Sequence, residues 1–447
     1  VNSNSNNIGM SKEVGDALSE FATPFHAMKS AELDVQFAAD PSYGLSKEGY
    51  AWYSNGVLFD ETHFSESSGS IDVETGANSD DIARIRSSYP GQYISHTLAE
   101  PGLGLIIPSE HLEYDSNNHV SLTHGEISAE LVEWDKETQS GINALGLSFE
   151  TDGVYVQIRR NNENVAFVHQ SDWNIDPMDG TGPSGRVFTP ETGYIYNFPF
   201  TWYNQGALYI MINDAEVGRN IVVHREKIEG SPSLGTPNMP LQVSVENQGT
   251  ADPLGARVGG MQFSTYGSGR EPRQSRTTEE SRTTGGSYIS ETVTTTDNAT
   301  DPFANAGSPL VAVRRDMSNL KSRASLSVTI EDLFVDVDQD VWLFVFDEYN
   351  AESALTGQNF TKPVSKNATD ESRLETDTVA TDYTPSNESV LRGMSYVSAG
   401  KKEIDVLTGD TRSRLPLEST AVVTAALADG SNSTDAQPFL LTVREGF

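Results

Sequence analysis

The residues best suited to chemistry in this chain are its carboxylates, and their spacing says which chemistry to expect. Asp336, Asp338 and Asp340 alternate, a pattern that can present oxygens to a hard cation such as Ca2+ or Mg2+. The continuation that completes a helix-loop-helix calcium site is missing: no Gly follows at the sixth position and no Glu at the twelfth. Asp172, Asp176 and Asp179 form a second, looser set. An acidic turn accounts for either group without a metal. Gly182-Pro183-Ser184-Gly185 falls short of a nucleophile elbow, because the second Gly follows Ser184 directly. No Gly-rich phosphate loop follows a strand, and the His-Glu-x-x-His zinc motif is absent. His119 and His124 are five apart, which suits a turn, while His169 and His224 sit in strand patterns as structural histidines. Acid pairs for glycoside cleavage act only at about 5 Å or about 6.5–9.5 Å across a cleft, and the sequence does not reveal such distances. No catalytic residue is assigned, and the chain is expected not to be an enzyme.

The densest stretch runs from Asp172 to Gly185, with two Pro, three Gly, three Asp and one Asn in fourteen residues. Gly supplies positive φ, Pro fixes φ, and Asp or Asn hydrogen-bonds to its own backbone two residues on. One ordered loop between strands follows, pinned to the core by Trp173. Trp173, Asp176 and Asp179 are its candidate receptor-binding groups; the other reading of the same residues is that they only fold the loop.

The elements that hold this loop read as strands. Leu33, Val35 and Phe37 alternate with polar residues, as on a half-buried strand. Tyr50–Phe64 is aromatic and broken by Asn55-Gly56, a hairpin signal. Ile127, Ala129 and Leu131 alternate until Val132 and Trp134 take over, a one-residue shift that predicts a bulge. Val154, Val156 and Ile158 alternate with Tyr155, Gln157 and Arg159, then turn through Asn161–Asn164 to Val165, Phe167 and His169. Tyr194–Trp202 is an aromatic strand in which Pro199 points to an edge or a bulge. The one good helix is Met10–Phe21, with Met10, Val14, Ala17, Leu18 and Phe21 on one face.

These elements predict an all-β protein: a short N-terminal helix segment over 1–30, a jelly-roll-like β-sandwich over 31–266, and a smaller C-terminal β-sandwich over 308–447. Residues 267–307 are rich in Ser, Thr and Arg and read as a linker or extended arm. In the second sandwich Val341–Phe346 reads as a strand buried on both faces, Gln358–Ser389 as an exposed polar loop, and Phe439, Leu441 and Val443 as a terminal strand.

Composition sets the outer limits. At 447 residues two or three domains are expected. The formal net charge of -34 opposes nucleic acid and anionic membranes as partners. Ten Lys and twenty Arg against 64 acids suggest adaptation to high salt, where self-repulsion is screened. The chain has no Cys, which rules out disulfides, thiolate metal sites and Cys nucleophiles. No apolar run reaches the ~20 residues of a membrane span, and the polar Val1–Asn7 start is unlike a signal peptide. Five Asn-x-Ser/Thr sequons, at Asn298, Asn359, Asn367, Asn387 and Asn432, crowd the last third.

Several of these segments together resemble a known family. They are Asp152-Gly153, Asp172-Trp173-Asn174, Asp179-Gly180-Thr181-Gly182-Pro183-Ser184-Gly185, Ile195-Tyr196, Phe200-Thr201-Trp202, Val223-His224-Arg225 and Pro237-Asn238-Met239-Pro240-Leu241. The run is similar to structural proteins of tailed viruses and some large viruses. Thr201 stands where that family usually has Gln, and Met239 where it usually has Leu. Ser308-Pro309-Leu310 and Arg414-Leu415-Pro416-Leu417 resemble its C-terminal half. The resemblance implies a virion role and supplies no catalytic residue. Joined to the high-salt composition, it implies a surface protein of a virus of halophilic archaea, on the capsid as a turret or head fibre, or on the tail. Its expected partners are itself as a homotrimer or homopentamer, other virion proteins, and a host-surface glycan or surface-layer glycoprotein. The alternatives are a virion-associated polysaccharide depolymerase and a secreted lectin or surface-layer-like protein.

Overall fold

The computed structural model describes residues 33–67, 69–91, 98–135, 140–201, 205–216, 218–229, 238–266, 275–282, 308–316, 327–337, 340–362, 374–377, 380, 382–404, 415–427 and 439–446. The expected Met10–Phe21 helix, Asp338 and Trp202 lie outside these residues. Among the described residues no helix is long and apolar enough to cross a membrane.

The chain is all-β, built of antiparallel sandwiches. In the first, one sheet runs in the order Arg219–Glu229, Gln205–Asp214, Tyr194–Asn197, Leu98–Ile106, Gly255–Tyr266, Ser70–Glu74, Phe64–Ser67, with Leu33–Ala39 also paired to Gly255–Tyr266. The second sheet runs Glu163–His169, Gly153–Arg160, Ser140–Glu150, Glu126–Asp135, Leu241–Glu246, Ile82–Ser87, Tyr50–Ser54, Val57–Leu58. Period-two alternation sends Ile127, Ala129, Leu131, Leu145, Leu147, Val154, Val156, Val243 and Val245 into one shared core. Phe149, Phe188, Phe198, Phe200 and Phe263 are fully buried there. Each such ring contributes about 1.5–3 kcal/mol by leaving water.

Local signals fall where the sequence places them. Asn55 and Gly56 both have positive φ, 51° and 83°, the twist that joins Tyr50–Ser54 to Val57–Leu58 as a tight hairpin. The register of Glu126–Asp135 on Ser140–Glu150 shifts between Glu133 and Trp134, a bulge two residues beyond the Leu131–Val132 break in the alternation that predicts one. Pro199 is not on an edge. The Tyr194–Asn197 strand lies between two neighbours and ends before it, and just beyond it, among the described residues, the pairing is reduced to single bridges of Phe200 to Ala99 and Leu208. A residue without an N–H breaks the ladder at that point.

The second sandwich pairs Ser275–Arg282, Phe439–Gly446, Ser327–Val337 and Gly400–Ile404 in one sheet. The other contains Leu374–Asp377, Ser308–Arg315, Thr420–Leu427, Val341–Glu348 and Val390–Val397. Val341, Leu343 and Val345 enter the core between the sheets, and Phe346 enters a smaller cluster on the opposite face with Ala351, Leu355 and Tyr383. Both faces of that strand are therefore covered, as its unbroken apolar run requires. Two expectations change. Part of the linker or arm, Ser275–Arg282, is a strand paired along its length with Phe439–Gly446. The polar stretch after Gln358 is not all loop: Leu374–Asp377 joins the sheet and Asp382–Tyr383 pairs with Leu355–Thr356, because Leu374 and Tyr383 are buried anchors.

The sandwiches meet through the turn that precedes Thr420–Leu427. Leu417 N donates to Ser88 O at 2.8 Å. Arg86, 2% exposed, donates to the carboxylate of Glu418, which reaches out of the second sandwich. Glu418 holds φ at 65°, a left-handed conformation unfavourable for a residue with a Cβ. Tyr349 packs edge-on against Phe59, ring centres 4.6 Å apart.

Candidate functional site

The Asp172–Gly185 loop closes on itself through its carboxylates. Asp176 accepts from Met178 N at 2.9 Å through one oxygen and from Ser184 N at 2.7 Å through the other. Asp179 accepts from Thr181 N and Thr181 Oγ1, both at 2.7 Å, which holds its carboxyl below the usual carboxylate range. Gly182 is required because a Cβ there would fall 2.1 Å from Asp176 Oδ1. Two strands away in sequence, the segment Val223-His224-Arg225 fixes the loop's entry. Val223 O accepts from Ile175 N and Asp176 N, His224 Nδ1 accepts from Asn174 N at 3.2 Å, and Asn174 exchanges two bonds with the Arg225 backbone. His224 is buried, which lowers its pKa and favours the neutral ring. It is a structural histidine.

Trp173 is 4% and Asp176 2% exposed. Trp173 packs on Phe188, centres 5.9 Å apart, in a ring cluster that continues through Tyr194, Tyr196 and Phe149. Of the three candidate contact groups, these two are buried in the loop's frame. Asp179 remains partly accessible, with Oδ2 3.9 Å from His119 Nε2. Asp340 is engaged within its own sandwich by Tyr396 OH and Ala399 N. Asp336 stands in register with Lys401. Among the described residues no group of three or more His, Asp or Glu is arranged to hold a metal ion.

The loop borders a surface that the sequence does not single out. On the outer face of the second sheet, Tyr155 pairs with His169 and Gln157 with Phe167 across neighbouring strands. The Tyr155 and Phe167 rings stack at 4.0 Å and 9°, with Phe167 38% exposed. His169 packs edge-on against Tyr155 at 5.3 Å and against His119 at 5.7 Å. His119 Nδ1 lies 3.1 Å from Asp115 Oδ2. The result is a shelf of rings edged by Asp115 and Asp179.

Inward from the shelf the same face becomes a polar network. In register across the strands lie Ser148, Ser128, Ser244 and Arg84 in one row, and Gln157, Gly146, Glu130, Gln242 and Arg86 in the next. Gly146 leaves a gap through which Gln157 Nε2 donates to Glu130 Oε2, two strands away, at 2.8 Å. Arg84 donates to Ser244 Oγ and to Glu246 Oε1 at 2.7 Å. Ser148 Oγ lies 3.2 Å from Glu126 Oε1 and 3.1 Å from Glu150 Oε1. One hydroxyl proton serves one carboxylate, so the other bond needs a carboxyl proton. Burial first, then the charges of Glu246, Glu150 and Glu130, push Glu126 up to about 7. Glu130 and Glu150 are also raised by burial. A polar residue at an alternate strand position reads as solvent-facing, which is why the sequence does not reveal this network.

No family model matches this chain, and no curated protein does. Among solved structures, peanut lectin with a nine-residue peptide is 11% identical, covers 53% of this chain and 98% of its own, and gives a TM-score of 0.32. A legume lectin-like domain from Entamoeba histolytica is 14% identical over 49% of this chain and 91% of its own, with a TM-score of 0.29. A protein of unknown function from Shewanella oneidensis is 12% identical over 59% of this chain and 98% of its own, with a TM-score of 0.33.

Proposed function

We propose that this chain is a recognition protein of a virus surface that binds a host glycan on the Tyr155–Phe167–His169 shelf beside the Asp172–Gly185 loop. The observation that carries the reading is the shelf itself: an exposed ring backed by a second, with imidazoles and carboxylates at its margin. A sugar ring offers one apolar face for a flat ring and hydroxyls at its edge for acceptors such as Asp179. The loop's internal bonds reduce the freedom it has to lose on binding, which favours affinity. Placement on a capsid or tail, as a homotrimer or homopentamer among other virion proteins, follows from the sequence resemblance of that loop. A secreted lectin or surface-layer-like protein would use the same recognition chemistry in another place.

Purified chain titrated with host-surface glycans and surface-layer glycoprotein tests the binding. Phe167→Ala should weaken it about tenfold or more by removing the exposed ring. Unchanged affinity in that variant would end the shelf reading, and turnover of the glycan would replace it with a depolymerase. Mass spectrometry of purified particles tests the location, since a chain absent from particles belongs to the secreted reading.

A further inference from the structure

A cavity of about 280 Å3 opens where the two sandwiches meet, far from the shelf in the fold's connectivity. Its walls are Phe37–Asp40, Ser46, Glu48, Gly49, Tyr50 and Tyr89, and Arg392 from the second sandwich. Arg392 has its side chain 4% exposed and forms an ion pair with Asp347, its Nε 2.9 Å from Asp347 Oδ2. Its guanidinium sits over Tyr89, 5.7 Å from the ring centre. Tyr50 is anchored by its OH, which donates to Ala39 O at 2.9 Å. Asp40 and Glu48 stand exposed at the mouth. Asp40 Oδ1 accepts from Ser42 N at 2.8 Å.

The charges restrict what can enter. An anion attracted by Arg392 must pass two carboxylates, and Asp347 already pairs with that guanidinium. A cation drawn to Asp40 and Glu48 meets Arg392 within. A neutral ligand dense in hydroxyls suffers neither repulsion and can accept from the guanidinium while donating to the carboxylates. Phe37, Tyr50 and Tyr89 supply apolar surface for the face of a ring. The volume lies just under the roughly 300–1,000 Å3 of pockets for drug-sized ligands, which suits one ring rather than a chain. We propose that this cavity binds a single neutral sugar ring, held between Arg392 of one sandwich and Glu48 and Asp40 of the other. Because both sandwiches wall it, an occupant ties them together.

The test is titration of the intact chain with methyl glycosides of neutral hexoses, with glucuronate and glucosamine as charged controls, followed by calorimetry or ligand-observed NMR. Saturable binding of a neutral glycoside, stronger than that of either control, is expected. Glu48→Gln, at the exposed mouth, should weaken it about fivefold with the unfolding midpoint unchanged, while Phe167→Ala on the shelf should leave it alone. Arg392→Lys should abolish it, and circular dichroism would show whether that variant still folds. Three results would overturn the proposal: no saturation up to tens of millimolar, preference for a charged control, or loss in Phe167→Ala with retention in Glu48→Gln. The last would assign the sugar to the shelf alone, so the two sites fail separately.

Discussion

Asp176 has both carboxylate oxygens engaged inside its own loop, at 2.9 and 2.7 Å. Hydrogen bonds to a charged group contribute about 1.5–3 kcal/mol each, and a buried N–H left without a partner costs about as much. Asp176→Ala should therefore destabilise the first sandwich by about 3 kcal/mol and release the amides of Met178 and Ser184 to hydrogen exchange. Protected amides in that variant would show that the loop holds its shape without the carboxylate. Glu126 makes a prediction of a different kind. Its carboxyl titrates at about 7 in the folded chain against an ordinary value of 4.5. The folded state keeps a proton that the unfolded state releases, so stability is full below about 4.5 and declines as pH rises through about 7. Burial raises it most, followed by the charges of Glu246 and Glu150 on the flanking strands and Glu130 on its own, with Arg84 bound to Glu246. Glu126→Gln keeps a donor toward Ser148 and removes the charge. Urea unfolding should find this variant more stable than the parent at pH 8 and equal to it at pH 4; an equal gain at both would remove titration from the account.

At the scale of elements, the outer face of the second sheet depends on one missing side chain. A Cβ on Gly146 would fall 2.3 Å from Ala129 O and 2.8 Å from Glu130 Cβ. Gly146→Ala should cost about 1–3 kcal/mol by overpacking, and it should part Gln157 from Glu130. A crystal structure of the variant with that bond intact would show that the strands can absorb a methyl group. The same strands show what could be read in advance. The shift from Leu131 to Val132 in the alternation marks the bulge that the register places between Glu133 and Trp134. The Asn55-Gly56 pair marks a hairpin because few residues tolerate positive φ twice in succession. Ser275–Arg282 carries no apolar alternation, and its strand depends on a partner more than 150 residues later in the chain, so nothing local announces it.

For the molecule as a whole, Arg86 and Glu418 tie one sandwich to the other from buried positions. Breaking such a pair leaves a charge without compensation, at about 3–5 kcal/mol. Glu418→Gln should lower stability by that order and split the calorimetric transition into two as the sandwiches uncouple. A single transition at the parent's midpoint would show that Leu417, Tyr349 and their neighbours suffice. The net charge of -34 makes the fold's stability depend on salt. Its self-repulsion is screened as the Debye length falls from about 10 Å at 0.1 M to about 3 Å at 1 M. The unfolding midpoint should climb as KCl is raised across that range, and a flat response would argue against adaptation to high salt.

Period-two alternation and turn chemistry were enough to make this an all-β protein, because each acts within a few residues and the backbone obeys it locally. They also gave the Asp172–Gly185 loop its order, since Pro, Gly and Asp restrict φ wherever they stand. Which loop groups face solvent was settled by packing: Trp173 is drawn into a cluster of rings from other strands, and Asp176 turns inward to meet Ser184. The shelf, the shared Ser148 and the cavity at Arg392 arise from registers and contacts between segments up to 355 residues apart. Alternation tells a strand which residues share a face; only folding decides what that face will meet.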